Sequence, residues 1–285
     1  MTTPGTGVIE LDRHSGDSVA SLRSTVPGID RVASRLRRYA FTRHTHDYIG
    51  LGVMLQGGHD SLYGSRRRVV AAGQVMVVNA GEVHDGAPLG EAGRSYLLGC
   101  FDPEVLRAGV ADASGDPSWS ATVELAPSIE WDAGAAPVVR HALDGLAPGV
   151  DPLDRDQRLA LLYAAVARHA GRRATDAAAG IDPVVRRARE RLAEDLAEPL
   201  TITDLADESG VSRYALIRRF ARDVGLTPHA WRMQRRVEAA RRLLAQGTLP
   251  AEVAAMLGFA DQAHLTRLFR RHYGMTPGRY AAARR

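Results

Sequence analysis

The sequence predicts a two-domain α+β chain, with a β-sandwich or small barrel in its first half and an all-α module in its second. The first observation behind this is length, since 285 residues suffice for about two domains that each bury a core. The second is texture: short apolar runs between turn residues crowd positions 1–135, while helix caps and glycine stops fill 183–285. The third is charge, because residues 1–182 hold 18 Arg against 22 Asp and Glu, net −4, and residues 183–285 hold 19 against 11, net +8. An acidic half joined to a basic one points to a polyanion partner for the second half alone.

Composition removes several classes. Charged residues at 25% and hydrophobic ones at 45% exclude disordered, collagen-like and coiled-coil chains. A lone Cys100 excludes a disulfide framework and any CxxC motif. No run approaches 18 apolar residues, and the N-terminal MTTPGTGVIELDR lacks a basic region followed by an apolar one, so a cytoplasmic protein with no membrane partner is expected. All 37 basic side chains are arginine, in both halves alike, which reads as a genome-composition bias.

Taken in order, the apolar runs 48–55, 68–71, 75–79 and 96–101 are expected strands, with hairpin turns at Gly57-Gly58 and Tyr63-Gly64-Ser65. Asp102-Pro103 starts a short helix expected to fade near Gly109, and a looser stretch follows. Over 154–169, apolar residues at 159, 162, 163 and 166 recur at helical spacing. That face either packs on the barrel or pairs with its copy in a homodimer. Residues 171–182 read as a linker. Beyond it, helix starts are marked by Asp182-Pro183, Thr201 with Asp204, Ser212, Thr227-Pro228, Asp261 and Thr276-Pro277, and stops by Gly210, Gly225, Gly247, Gly258 and Gly274.

One unit occurs twice in this helical half. Leu205-Ala206, Gly210, Leu216, Phe220, Gly225 and Leu226-Thr227-Pro228 are matched, 48 and then 49 residues on, by Val253-Ala254, Gly258, Leu265, Phe269, Gly274 and Met275-Thr276-Pro277. Each copy reads as helix, glycine turn, helix, with a small alanine where the second helix crosses and an i,i+4 apolar pair on its buried side. The free side offers Arg213, Tyr214, Ile217 and Arg218 in one copy and Gln262, Ala263, Thr266 and Arg267 in the other. Arginine can pair with guanine, glutamine with adenine, and an apolar side chain with a thymine methyl. Ser212, Arg219, Arg222, Arg270 and Arg271 are expected phosphate contacts. A helix over 228–246, about 28 Å long, would hold the two motifs about one DNA turn apart. A protein-binding helical bundle is the competing reading.

These stretches, with SRYALIRRF over 212–220, RRVEAARRLL over 235–244 and DQAHL over 261–265, resemble the AraC/XylS family of bacterial transcription regulators across 183–285. The resemblance implies base contacts from Tyr214, Ile217 and Arg218 and from Gln262, His264 and Arg267, with Asp261 as a cap.

In the first half, His44, His46 and Tyr48 would share a face if they lay on one strand, and a second block ends at His84. The paired blocks resemble the cupin double-stranded β-barrel that serves many AraC-type regulators for effector binding and dimerisation. In metal cupins the first block adds a glutamate where Ile49 and Gly50 stand, and Asn79-Ala80-Gly81 replaces the usual Pro-x-Gly. The three histidines could hold a divalent ion, bond a small polar effector, or serve structure alone. The expected chain is therefore a cupin-like effector domain over 1–170, a linker, and a double helix-turn-helix domain with a long joining helix over 183–285. Its expected partners are duplex DNA, a small-molecule effector held by His44, His46, Tyr48 and His84, and RNA polymerase where it activates. No cofactor and no catalysis are expected; the alternative is a metal-dependent cupin enzyme or metal sensor fused to a DNA-binding domain.

Overall fold

In the computed structural model the chain forms two compact units, one of Met1–Phe41 with Asp47–Ala174 and one of Thr42–His46 with Thr175–Arg285. Residues 7–12, 17–22, 24–63, 66–116, 119, 123–171 and 181–282 are described, so most of the expected linker lies outside them.

The described strands of the nine-stranded sheet are β1 (Gly7–Asp12), β2 (Asp17–Leu22), β3 (Ile29–Leu36), β4 (Phe41–His44), β5 (Ile49–Tyr63), β6 (Arg66–Ala71), β7 (Val75–Val78), β8 (His84–Pro88) and β9 (Arg94–Phe101), all of the first unit except Thr42–His44 of β4, which count with the second. The order is β1-β2-β3-β9-β5-β8-β4, with β6 and β7 also paired to β5. β5 is the pivot. Its first part pairs with β7 and β9, its last with β6 and β8, and the register shifts between Met54 and Gln56. Gly57 and Gly58 therefore form no hairpin turn but bend one long strand. Gly57 has φ +71°, and a Cβ there would meet the Gly93 carbonyl oxygen, so only glycine fits the bend. The second expected turn falls where Tyr63 pairs with Arg66, and its residues 64–65 lie outside the described ones. β1 to β4 and β8 were not expected, because segments such as FTRH and HDGAP carry no apolar run.

Alternation gives the sheet two faces. Ile49, Leu51, Val53, Leu97 and Phe101 join the core cluster, whereas Met54 and Tyr96, paired across the strands, take the opposite face with Arg94. The core is completed by α1 (Pro103–Ser114), α2 (Ala135–Gly145) and α3 (Pro152–His169), the first and third capped by Asp102 and Asp151 with proline at the start. β10 (Glu124–Leu125) and β11 (Ala170–Gly171) form a small separate sheet. α1 runs through Gly109 to Gly115 instead of fading. A Cβ on Gly109 would stand 2.3 Å from the Tyr163 ring, so the glycine serves the crossing of α1 and α3 rather than ending a helix. Leu159, Leu162 and Val166 of α3 are buried in the core, which assigns that apolar face to packing. Each such side chain contributes about 1.5–3 kcal/mol. Asn79, standing where the cupin motif has proline, donates to Leu125 O at 3.1 Å and accepts from Leu125 N at 2.8 Å.

The second unit contains α4 (Pro183–Glu194), α5 (Ile202–Glu208), α6 (Arg213–Val224), α7 (Pro228–Ala245), α8 (Pro250–Met256), α9 (Gln262–Tyr273) and α10 (Pro277–Ala282). Asp182, Thr201, Ser212, Thr227 and Asp261 each accept a hydrogen bond from an N–H of the first turn they cap. Gly225 and Gly274 close α6 and α9 in the left-handed conformation.

Candidate functional site

The two helix-turn-helix motifs are built alike. In the first, Leu205 and Ala206 are buried, Gly210 turns the chain at φ +64°, and Val211 N donates to Ala206 O at 3.1 Å. In the second, Val253 and Ala254 are buried, Gly258 has φ +68°, and Phe259 N donates to Ala254 O at 3.0 Å. The small alanine leaves room for the returning backbone in both. Leu216 with Phe220, and Leu265 with Phe269, are fully buried on the inner sides of α6 and α9.

The outer sides carry the candidate readers. Tyr214 is 73% exposed and Ile217 38%, and at i,i+3 on α6 they share one side of the helix. Arg213 and Arg218 are exposed beside them. The Arg218 guanidinium lies 5.8 Å from the Tyr214 ring centroid, a cation–π contact that holds both side chains on the open side of α6. On α9, Gln262, Ala263 and Arg267 are exposed. Among the described residues, Arg213 and Arg267 make no hydrogen bond or ion pair, so their donors remain available. His264 is set apart: its ring packs edge-on against Phe259 at 5.6 Å, and its backbone N–H donates to the Asp261 cap at 2.6 Å.

The expected phosphate contacts divide as well. Ser212 Oγ accepts from Ala215 N at 3.2 Å as the cap of α6. Arg219 reaches Asp182 at 3.4 Å, and Arg222 bonds Asp223 at 2.6 Å while lying 3.7 Å from Asp182. The Asp223 carboxyl is held below its ordinary range, chiefly by that Arg222 hydrogen bond. Both arginines are thus partly neutralised within the protein; Arg222 meets its sequence neighbour, whereas the acid that Arg219 meets is 37 residues away. Arg270 and Arg271 are exposed on α9, and Arg271 Nε donates to Thr42 Oγ1 at 3.0 Å.

α7 joins the motifs and buries charge to do so. Arg232 donates to Asp195 O at 2.9 Å and to Glu198 O, and Arg236 to Leu196 O at 2.6 Å and Gly258 O at 2.7 Å. Burial lowers both guanidinium pKa values. These forks tie the α4–α5 connection and the second turn to one helix, a role that charge counting alone does not reveal.

Of the residues expected to hold an effector, His44 and His46 stay together, with ring centroids 6.1 Å apart, but fall in a different unit from Tyr48 and His84. β4 ends at His44, so the alternation that would place His44, His46 and Tyr48 on one strand face does not continue past it. His44 lies 5.8 Å from the His272 ring, whose pKa burial and His44 push down to about 3. His46 is buried, and the intervening Thr45 N donates to Gln234 Oε1 at 2.8 Å. Tyr48 is half-buried in the other unit, where His84 stacks on Tyr63 at 5.7 Å and bonds Glu82 O at 2.9 Å. Among the described residues no three His, Cys, Asp or Glu side chains gather as a metal site would require. The first unit instead holds a polar pair that no motif marks: His59 and Arg94, 6% and 3% exposed, hydrogen-bonded to each other.

Comparison with known proteins gives a helix-turn-helix domain model matching residues 205–283 and an AraC-like ligand binding domain model matching residues 26–162. The HTH-type transcriptional regulator YbfI of Bacillus subtilis is 27% identical over 79% of this chain and 81% of its own. The HTH-type transcriptional activator RhaR of Shigella flexneri is 22% identical over 87% and 90%. A crystal structure of apo ToxT from Vibrio cholerae, 11% identical, aligns over 92% of this chain and 100% of its own with a TM-score of 0.55, a likeness of fold.

Proposed function

The chain belongs to the AraC family of transcription regulators, joining an AraC-like ligand-binding domain to a helix-turn-helix domain, and we propose that it reads DNA bases with Arg213, Tyr214, Ile217 and Arg218 of α6 and Gln262 and Arg267 of α9. The observation that carries this assignment is the grouping of exposed Tyr214 and Ile217 with Arg213 and the ring-held Arg218 on one side of α6, matched on α9 by exposed Gln262 and Arg267. Ser212 and Arg271 flank them as phosphate contacts, one through a cap and one from the end of α9. His264 positions the start of α9 against Phe259, and its free ring edge is its route to the duplex. The effector enters the first unit, where Tyr48 and His84 are its candidate contacts, while His44 and His46, expected beside them, belong to the second unit.

The effector domain spans 1–170 and the DNA-binding domain 183–285, with the linker between. The protein works in the cytoplasm, as a regulator and not a catalyst, touches RNA polymerase where it activates, and pairs with a second copy. Effector binding acts by favouring one arrangement of the chain over another, with reciprocal effects on DNA affinity.

The test is a genome-wide footprint with the purified protein, followed by binding to the site found. Arg218→Ala should weaken that binding by about 1–3 kcal/mol and relax the preference at one base pair. Wild-type affinity should fall steeply between roughly 50 and 200 mM salt as released counterions dictate. A loss equal for all sequences would make Arg218 a phosphate contact, and a flat salt response would contradict the interface.

A further inference from the structure

The face of the first unit's sheet that is turned from its helices is also buried, and it sets polar groups among its apolar ones. Leu36, Met54 and Tyr96 lie on it, paired around Arg94 across β3, β5 and β9, and His59, Ser61 and Tyr63 follow at every second position of β5. All of these are buried. Gly86 on β8 faces them: a Cβ there would stand 2.5 Å from the His59 ring and 3.4 Å from Arg94 Nη1. Its φ is not in the left-handed region, so the absent side chain serves space and not backbone conformation.

Arg94 is the unusual member. A guanidinium has five N–H donors, and here Nη1 donates to His59 Nδ1 and Nη2 to Gly86 O at 3.1 Å. Nε is buried without a partner. Because arginine can only donate, His59 Nδ1 must accept, and the proton of the neutral ring sits on Nε2. Burial and the Arg94 charge push the His59 pKa down to about 3, which keeps the ring neutral. Among the described residues no carboxylate pairs with Arg94. The acid that it senses, Asp17, already accepts from the backbone N–H groups of Arg37, Arg38 and Tyr39. A buried guanidinium with neutral partners only is costly to keep, because a desolvated charge is normally matched by an opposite one.

We propose that Arg94 is the anion-recognising group of the effector site, and that the effector is a small organic carboxylate with an apolar or aromatic body. A carboxylate accepts two parallel N–H bonds from the edge of a guanidinium that holds Nε, and Nε is the donor without a partner here. The Phe41 and Tyr96 rings, each 5.9 Å from the guanidinium carbon, with Met54 beside them, suit an apolar body and disfavour a dianionic phosphate. The His59 Nε2–H supplies one further donor. The inference rests on the first unit being the effector domain, and it deepens that reading by naming the ligand class.

The test measures the thermal midpoint of the full-length protein with acetate, hexanoate, benzoate and succinate, each against its neutral amide. At least one carboxylate should raise the midpoint while its amide does not. Arg94→Gln, checked by circular dichroism, should weaken that carboxylate by at least about 30-fold, as expected on losing one partner of a buried charge pair. Arg94→Lys, which keeps the charge and loses the fork, should fall between. If Arg94→Gln fails to fold, the wild-type contrast between acid and amide still decides. Protection by none of the acids, equal protection by acids and amides, or protection undiminished in Arg94→Gln overturns the proposal. Neutral ligands that bind the wild type and Arg94→Gln alike would remove the anion class yet leave the effector domain standing.

Discussion

Arg213 and Arg267 stand exposed on the outer sides of α6 and α9, whereas Arg232, Arg236 and Arg94 are buried and donate to main-chain carbonyls or a histidine. The same side chain therefore stands open to solvent, ties main chain or lies buried beside a neutral partner, according to its surroundings. Burial has a second consequence at His59. Folding lowers its pKa from 6.5 to about 3, so between those values the unfolded chain binds more protons than the native one. Stability from the neutral ring is then fully present above about pH 6.5 and is lost progressively as pH falls toward 3, roughly 3 kcal/mol of it by pH 4.5. Thermal melts of wild type and His59→Asn from pH 7.5 to 4.5 check this. The variant, whose amide oxygen can still accept from Arg94, should show a slope shallower by about one proton. Identical slopes would assign the acid sensitivity elsewhere, His272 being the other ring pushed to about 3.

At the scale of elements, the helices of the second unit were legible because their signals are local. A cap at Thr201 or Ser212 and a stop at Gly225 act within one turn of the residues they govern. The start of α8 escaped because Leu249 has no capping oxygen; Glu252 reaches back to its N–H at 3.3 Å instead. Glycines carry a further distinction that letters do not show. Gly210 and Gly258 both have positive φ, but a Cβ at 210 meets nothing while one at 258 would lie 2.9 Å from Ala197 O and 3.1 Å from Arg236 Nη2. Gly210→Ala should cost about 1 kcal/mol, the left-handed penalty alone. Gly258→Ala should cost about 3 kcal/mol, because the neighbouring backbone cannot move aside without breaking the Arg236 ties. Urea unfolding of both variants tests the difference, and equal costs would mean that the second turn is not pinned. Gly109 and Gly57 make the same point in the first unit, where apparent breakers sit inside a helix and a strand.

For the whole molecule, the basic excess of residues 183–285 divides into exposed arginines and buried or acid-paired ones, so the charge offered to DNA is smaller than the sequence count of +8. A fragment of residues 183–285 keeps the buried side chains of α4 to α10 and should fold and bind the footprinted site, more weakly than the full chain. Complete loss in a gel-shift assay would show that the remainder of the chain, through pairing of two copies, is required. The sequence by itself determined the two-part organisation, the repeated helix-turn-helix with its caps and turns, and the faces of α6 and α9 that stay open. Those features depend on neighbours three or four residues apart, which a linear pattern encodes directly. Only the tertiary structure decided that β5 is a single bent strand serving two sets of partners, that Arg219 meets Asp182, and that Arg94 is buried against His59. His59 and Arg94 are 35 residues apart and Arg236 and Gly258 are 22 apart, on different elements in each case. Their meeting is set by strand register and helix packing, and no residue's immediate neighbours specify either.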